Sequence, residues 1–310
     1  MSIAIYSHAD CLKHDMGYGH PERPQRLRAI DDQLITSGIG DFIRQYDAPI
    51  ATPEQLALAH SQEHINHIFE QSPVDDSKMA HIDPDTYMNE YTLQAALRSA
   101  GAAIAATDKV ISDDAEQRVF CSVRPPGHHA EYGEAMGFCF FNNVAIAARH
   151  AIKTHGLERV AIVDFDVHHG NGTEDIVADD PQILFCSTYQ HPLYPERAKP
   201  SKEGFLVNAP LAQGAGGAEF REAVNDYWLP ALHDFKPQMI FISAGFDAHL
   251  EDEMAGLRLV ESDYKWITEQ LCEVANQHAE GRIVSMLEGG YNVSALGRSV
   301  VAHLKALMNI

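Results

Sequence analysis

The run VAIVDFDVHHGNG, residues 160–172, decides how this chain folds. Its first part, 160–165, is apolar and β-branched, the composition of a strand buried on both faces of a parallel sheet. The run then delivers Asp164, Asp166 and His168, polar residues spaced two apart. Side chains alternate along a strand, so these three project to one side at its end. Three more runs repeat the arrangement. RVFCSV (118–123) precedes Arg124-Pro125-Pro126-Gly127-His128-His129, MIFISA (239–244) leads to Asp247, and RIVSML (282–287) leads to Glu288-Gly289-Gly290-Tyr291. In open parallel sheets ligands bind beyond the carboxyl ends of strands, so these ends predict one shared crevice.

Between the apolar runs lie amphipathic stretches, the alternation of βαβ units around a parallel sheet. Helices are expected over 22–38, 53–70, 91–111, 143–155, 217–232, 262–277 and 293–308. Thr52-Pro53-Glu54 offers an N-cap followed by Pro at the first helical position, and Gly38 and Gly156 sit where helices should stop. MSIAIYSHAD lacks a basic start and a long apolar core, so it is expected to be a first strand and not a signal peptide. Two stretches, 72–90 and 188–216, read as irregular, and the second follows the strand QILFCS directly. Loops of that length are usually functional, so it is expected to wall the crevice. No repeat or linker divides the 310 residues, and one domain over 1–310 is expected.

The five cysteines (Cys11, Cys121, Cys139, Cys186, Cys272) are odd in number and two fall inside buried strands, which is reduced, cytoplasmic usage. No apolar run approaches the roughly 18 residues of a membrane span, so no membrane partner is expected. A net charge of −21 repels polyphosphate and disfavours nucleic acid. That charge is either a solvated acidic coat, as in a salt-rich cytoplasm, or an attraction for a cationic substrate. The acidic coat is the leading reading, and Asp15, Glu131, Glu134, Glu251, Asp252 and Glu253, which flank the polar motifs, give the second local support.

Asp166, His168 and a distant Asp247 offer two oxygens and one nitrogen to a cation. A catalytic zinc site keeps three protein ligands and an open position. Taken alone, the Asp-x-Asp-x-His pattern serves equally to bind backbone amides or cap a helix; Asp247, at a further strand end, tips the balance to a metal. Zinc and ferrous iron both accept such a set. The turn before His128-His129 presents two imidazoles to nearly one place. There a neutral ring can take a proton from water and an imidazolium can return one to a leaving amine. Asp164 and Asn171 are at hand to fix their tautomers. Gly289-Gly290 lets the backbone pass close to a ligand, leaving the Tyr291 phenol to donate to a developing oxyanion.

Together RPPGHHA, GFCFFNN, DFDVHHGNGT, SAGFD and EGGY, with GHPERPQR near the start, resemble the zinc-dependent histone deacetylase family. That family includes bacterial acetylpolyamine amidohydrolases and acetoin-utilisation-type deacetylases. The likeness runs from about Tyr6 to Leu304, and Asn171, where class I members carry Asp, is similar to the class II branch. The resemblance implies an α/β fold: an arginase-like three-layer αβα sandwich around a mainly parallel sheet of about eight strands. It implies Asp166, His168 and Asp247 as ligands of Zn2+, with Fe2+ as the other candidate. His129 would be general base and then acid, His128 its electrostatic partner supported by Asp164, and Tyr291 the group that polarises the carbonyl. Gly137, Phe138, Tyr194 and Met254 would line an acyl-lysine-wide channel, with Arg26 in an internal product cavity. A structural K+ would use Asp164, Asp166, His168 and Ser187.

The implied reaction is hydrolysis of an acyl amide to acetate and a free amine, with no covalent intermediate. Its substrate would be an acyl-lysine protein or peptide, or an acylated small molecule. N-acetylpolyamines are the alternative on the same machinery. CLKHDMGYGH is short where polyamine enzymes of the family carry a long insertion, which favours an open lysine-accepting cleft. An arginase-like two-manganese hydrolase would need more Asp and His than Asn171 and a single Asp247 supply. A catalytically idle acyl-lysine-binding module, or a scaffold with a vestigial site, sits badly with His129 and Tyr291 in place. Nothing in the chain specifies an oligomeric state.

Overall fold

The computed structural model describes residues 2–75, 78–112 and 116–310. Its strands are β1 (Ile3–Ser7), β2 (Ile43–Asp47), β3 (Ala80–His81), β4 (Tyr87–Met88), β5 (Arg118–Cys121), β6 (Val160–Asp164), β7 (Ile183–Gln190), β8 (Leu206–Leu211), β9 (Ile240–Ala244) and β10 (Ile283–Leu287). Its α-helices are α1 (Gln25–Thr36), α2 (Pro53–Leu56), α3 (Gln62–Gln71), α4 (Thr92–Ser112), α5 (Asn143–His155), α6 (Asn171–Val177), α7 (Gly217–Ala223), α8 (Leu229–Phe235), α9 (Glu261–His278) and α10 (Val293–Leu307). Eight strands form one sheet in the order β2-β1-β5-β10-β9-β6-β7-β8, and every neighbouring pair is parallel. Among the described residues β3 and β4 are the only strands that pair antiparallel, in a small ladder apart from that sheet.

Right-handed crossovers decide which face each helix covers. The connections that move one way across the sheet place α4, α5 and α6 on one face, where they pack in sequence. Those that move back place α1 and α9 on the other, and the C-terminal α10 packs against both there. The result is the expected three-layer αβα sandwich, an arginase/deacetylase-like fold. Strands β5, β6, β9 and β10 are buried along their whole length, as their apolar, β-branched residues require between two helical layers. These four lie side by side at the centre of the sheet, so the loops after them meet.

Helix punctuation follows local chemistry. Thr52 and Gln55 close a capping box with Pro53 at the first helical position. Asn142 caps α5 through Ala145 N–H, and Gly156 ends it in the left-handed region at φ 70°.

Five expectations are corrected. The helix over 53–70 is two, α2 and α3, because the 57–61 turn is held by tertiary bonds: His60 Nε2 accepts from Asn142 N, and Ser61 N donates to Tyr132 O. The 188–216 stretch is not a loop throughout; β7 runs on to Gln190, and β8 adds an edge strand. The 72–90 stretch contains β3 and β4, with Asp76 and Ser77 outside the described residues. Residues 217–232 form α7, a five-residue π-turn (Val224–Trp228) and α8, which continues to Phe235. Helix α1 starts at Gln25, not Glu22, which frees the Glu22 carboxylate for a buried network. No described helix is long and apolar enough to cross a membrane, and all five cysteines are free and buried.

Candidate active site

Asp166 and His168 follow β6 and Asp247 follows β9, and one ligand atom from each lies within 4.8 Å of the others. All three residues are buried. His168 Nδ1 stands 3.1 Å from Asp166 Oδ1 and 3.2 Å from Asp247 Oδ2. The remaining carboxylate atoms are anchored by backbone: Asp166 Oδ2 accepts from Gly289 N (2.8 Å), and Asp247 Oδ1 accepts from Val167 N (3.0 Å). The loop after β10 is therefore drawn onto the same carboxylates. Gly289 permits it, because a Cβ there would lie 2.1 Å from Asp247 Oδ2 and 2.6 Å from Asp166 Oδ2.

The two histidines after β5 face this cluster, their ring centroids 4.0 Å apart. His128 Nδ1 is 2.9 Å from Asp164 Oδ2, and its Nε2 is 3.8 Å from Asp166 Oδ2. His129 Nδ1 is 2.7 Å from Asn171 Oδ1, while Asn171 Nδ2 donates to Glu131 Oε1 at 2.7 Å. That second bond sets the amide so that its oxygen points at the ring. The oxygen only accepts, so Nδ1 carries the proton and Nε2 presents a lone pair. Asn171 reaches this position because α6 starts there, directly behind the metal-type cluster.

Charge in this pocket is unbalanced toward the negative. Burial alone would lower the His128 pKa, but Asp166 and Asp164 outweigh it and lift the ring to about 10. His168 is lifted likewise to about 10, against its burial, by Asp166 and Asp247. His129 goes the other way, held well below its ordinary value by burial and then by the neighbouring His128 and His168. Asp247 is pushed up to about 6 by burial and by Asp166. A site that has to gather protons to offset its carboxylates is one that suits a cation. Asp247 Oδ2 is buried and accepts no well-formed hydrogen bond, its near neighbour being His168 Nδ1 at 3.2 Å, and Ser187 Oγ, beside Asp164 in the β6–β7 register, has no hydrogen-bond partner among the described residues. Two buried carboxylates crowding one imidazole leave negative charge that a cation would offset, so the donor set fits a divalent ion.

Comparison with known proteins agrees with this geometry. The model of the histone deacetylase domain matches residues 20–307. A probable deacetylase of Archaeoglobus fulgidus is 37% identical over 301 residues, covering 94% of this chain and 82% of the relative. A histone deacetylase-like amidohydrolase of Pseudomonas aeruginosa is 34% identical over 299 residues, covering 93% and 78%. The crystal structure of the HDA15 HD domain superposes with a TM-score of 0.92 at 33% identity, covering all of this chain and 90% of that one. The chain belongs to the histone deacetylase family. It is a hydrolytic deacetylase with a cluster of candidate metal-binding residues.

Around that cluster the deacetylase arranges its aromatic rings edge to face. Phe138 meets Tyr291 at 5.9 Å and 85°, and Tyr194 meets His129 at 5.3 Å and 83°. Phe138 itself adopts φ 69°, with its N–H bonded to Thr86 Oγ1. Gly137, at φ 55°, lies against His129, where a Cβ would fall 2.6 Å from the ring. Tyr194 is 39% exposed and stands at the rim. Met254 lines a cavity of about 420 Å³ with His20, Arg23 and Tyr291. Arg26 is buried with its guanidinium 5.0 Å from the Tyr291 ring, and it donates to the carbonyls of Gly290 (2.6 Å) and Glu288.

Sequence reading missed two supports of the deacetylase site. Glu288, treated as the first letter of the EGGY turn, accepts from Gly127 N (2.7 Å) and His128 N (3.1 Å), tying the β10 loop to the β5 loop. Asp252, read as an acidic flank, is buried and accepts from Tyr291 N (2.6 Å), Asn292 N (2.9 Å) and Met254 N (3.1 Å). A carboxylate beside a glycine-rich turn is the signal that could have found Glu288; nothing local in Leu250-Glu251-Asp252-Glu253 marks Asp252. Glu131 and Glu134 pair with Arg197, and Glu251 with Arg298, so much of the flanking acidity is already neutralised within the chain.

Proposed function

We propose that this chain is a zinc-dependent deacylase, one catalytic domain over 1–310, acting on acyl-lysine-type amides. The observation that carries the reading is the convergence of Asp166, His168 and Asp247 beside His129, whose Nδ1 is committed to Asn171 and whose ring lies 5.8 Å from that of His168. A divalent ion held by those three side chains would polarise an amide carbonyl and lower the pKa of a water. Zinc is typical of the family, and two carboxylates with one imidazole accept ferrous iron as well. His129, its Nδ1–H committed to Asn171, takes the water proton at Nε2 and returns a proton to the departing amine. His128, its Nδ1–H held by Asp164, supplies positive charge beside the reacting atoms. Tyr291 donates to the carbonyl oxygen as negative charge grows there. Its phenol is available throughout, because burial raises its pKa well above the ordinary value.

Phe138 and Tyr194 supply apolar walls for an extended acyl-bearing chain, with Gly137 beside His129 and Met254 near the entrance. Arg26 holds the turn that carries Tyr291, beside the place proposed for the departing acid. Asp164, Asp166, His168 and Ser187 are proposed to hold a structural K+, which the donorless Ser187 Oγ supports. The internal pairing of Glu131, Glu134 and Glu251 favours an acyl-lysine chain over a free polycation.

Comparing kcat/KM for an acetyl-lysine peptide, a trifluoroacetylated peptide and acetylputrescine tests the substrate. The peptide is expected to lead. A tenfold or greater preference for acetylputrescine would overturn the assignment and leave the chemistry standing.

A further inference from the structure

A second group of metal-type side chains stands at the opposite end of the molecule. Helix α5 starts at the catalytic edge and runs back along the sheet, so its last turn lies beside the N-terminal ends of the strands. The last turn of α4 lies there too, and the two helices pack together. Asp108 of α4 meets His150 and His155 of α5 at that place. Asp108 Oδ1 is 2.7 Å from His150 Nε2 and 2.6 Å from His155 Nε2. The rings cross at 82° with centroids 5.4 Å apart, so both nitrogens aim at one point. Among the described residues only this trio and the Asp166–His168–Asp247 trio bring three metal-type donors within 4.8 Å of one another.

We propose that Asp108, His150 and His155 form a second divalent-metal site, for a borderline cation of the zinc or copper(II) class. Two imidazole nitrogens and one carboxylate oxygen match that class, whereas calcium and magnesium want oxygen throughout. Ligand atoms about 2.0–2.2 Å from one tetrahedral ion stand about 3.3 Å apart. The carboxylate therefore has to back away by about 0.6–0.7 Å to admit the ion. Asp108 can do so, since its side chain is 51% exposed, and that open side leaves room for water to complete the coordination. His150 is buried and cannot swing, and Thr154 Oγ1 lies 3.1 Å from its Nδ1. On binding, each imidazole gives up its Nε2 proton to solvent and, staying neutral, takes one on Nδ1; the Nδ1–H of His150 then donates a hydrogen bond to the Thr154 hydroxyl oxygen, the usual outer support of a metal-bound imidazole. The site would clamp the ends of α4 and α5, stabilising the folded state by an amount that grows with the logarithm of free metal above the dissociation constant.

The test is to clear the full chain of metal with a chelator and titrate Zn2+ against a chromophoric competitor. Wild type is expected to bind one ion more than His155→Ala. Loading with Cu2+ is expected to give an electron-spin signal with two-imidazole coupling that the variant loses. Deacetylase turnover is expected to be the same in both. Asp108→Asn, nearly isosteric, gives the same reading if the alanine variant folds poorly. Equal stoichiometry in wild type and variant would overturn the site and leave two imidazoles merely donating to one carboxylate. Failure of the catalytic centre would remove an ion from both proteins, so the difference between them reports this site alone.

Discussion

The proposed work of Tyr291 is one hydrogen bond made when the carbonyl oxygen takes on charge. Removing the hydroxyl (Tyr291→Phe) should lower kcat by about 10²–10³ while KM and metal content hold, the cost of one lost oxyanion donor. Turnover equal to wild type, measured on an acetyl-lysine peptide, would exclude that role. Gly289 is a different case, since it matters through what it lacks. A methyl group there would overlap the carboxylate oxygens of Asp247 and Asp166. Gly289→Ala should therefore leave a folded protein that has lost its catalytic metal, read by metal analysis beside circular dichroism. A variant with full metal content and activity would show that the loop can move aside.

At the scale of elements, the loops after β5 and β10 and the start of α1 are one unit, bound through Glu22. Its carboxylate meets Arg124 of the β5 loop, with Nη2 to Oε2 at 2.6 Å, and Arg26 of α1 at 3.0 Å. His14 adds Nε2 at 3.2 Å. Burial would raise the Glu22 pKa, but Arg124, His14 and Arg26 outweigh it and hold it well below the usual carboxylate range. Glu22→Gln leaves two fully buried guanidinium groups uncompensated. It should cost about 3–5 kcal/mol, the scale for breaking a buried ion pair from one side, seen as a lower urea midpoint. Because Arg26 also grips the carbonyls before Tyr291, kcat should fall with it. A variant as stable as wild type would mean that the network rearranges at little cost.

The molecule as a whole should be acid-sensitive through buried neutral histidines. His303 sits under the sheet between Thr268 Oγ1 (2.6 Å) and Ser285 Oγ (2.9 Å), and burial lowers its pKa to about 3. His60 is lowered to about 3 as well, by burial and by His64. An unfolded chain binds protons at these rings from about pH 6.5 downward, while the folded one does not. The stability they contribute is complete above about pH 6.5 and is lost as pH falls toward 3, by up to about 1.4 kcal/mol per pH unit per ring. Comparing wild type with His303→Gln isolates one ring. The variant should be weaker at pH 7, and the gap between the two should narrow on going to pH 5. A constant gap in denaturant midpoints across that range would mean His303 is protonated in the fold.

The α/β class, the central strands and the candidate ligands were legible in the sequence because each is local. A strand buried on both faces has to be an apolar run, and polar residues at period two where it ends have to face one side. The same locality marked Thr52-Pro53 and Gly156 as helix punctuation. Tertiary structure decided what depends on distant partners. The break in the helix over 53–70, the edge strand β8 and the short α6 are each settled by bonds to residues far along the chain, which no local pattern encodes. Glu22, Glu288 and Asp252 look like surface carboxylates until folding buries them against specific N–H and guanidinium groups. The meeting of Asp108 with His150 and His155 is likewise a product of helix packing, because residues more than 40 positions apart share a point in space only after the two helices lie side by side.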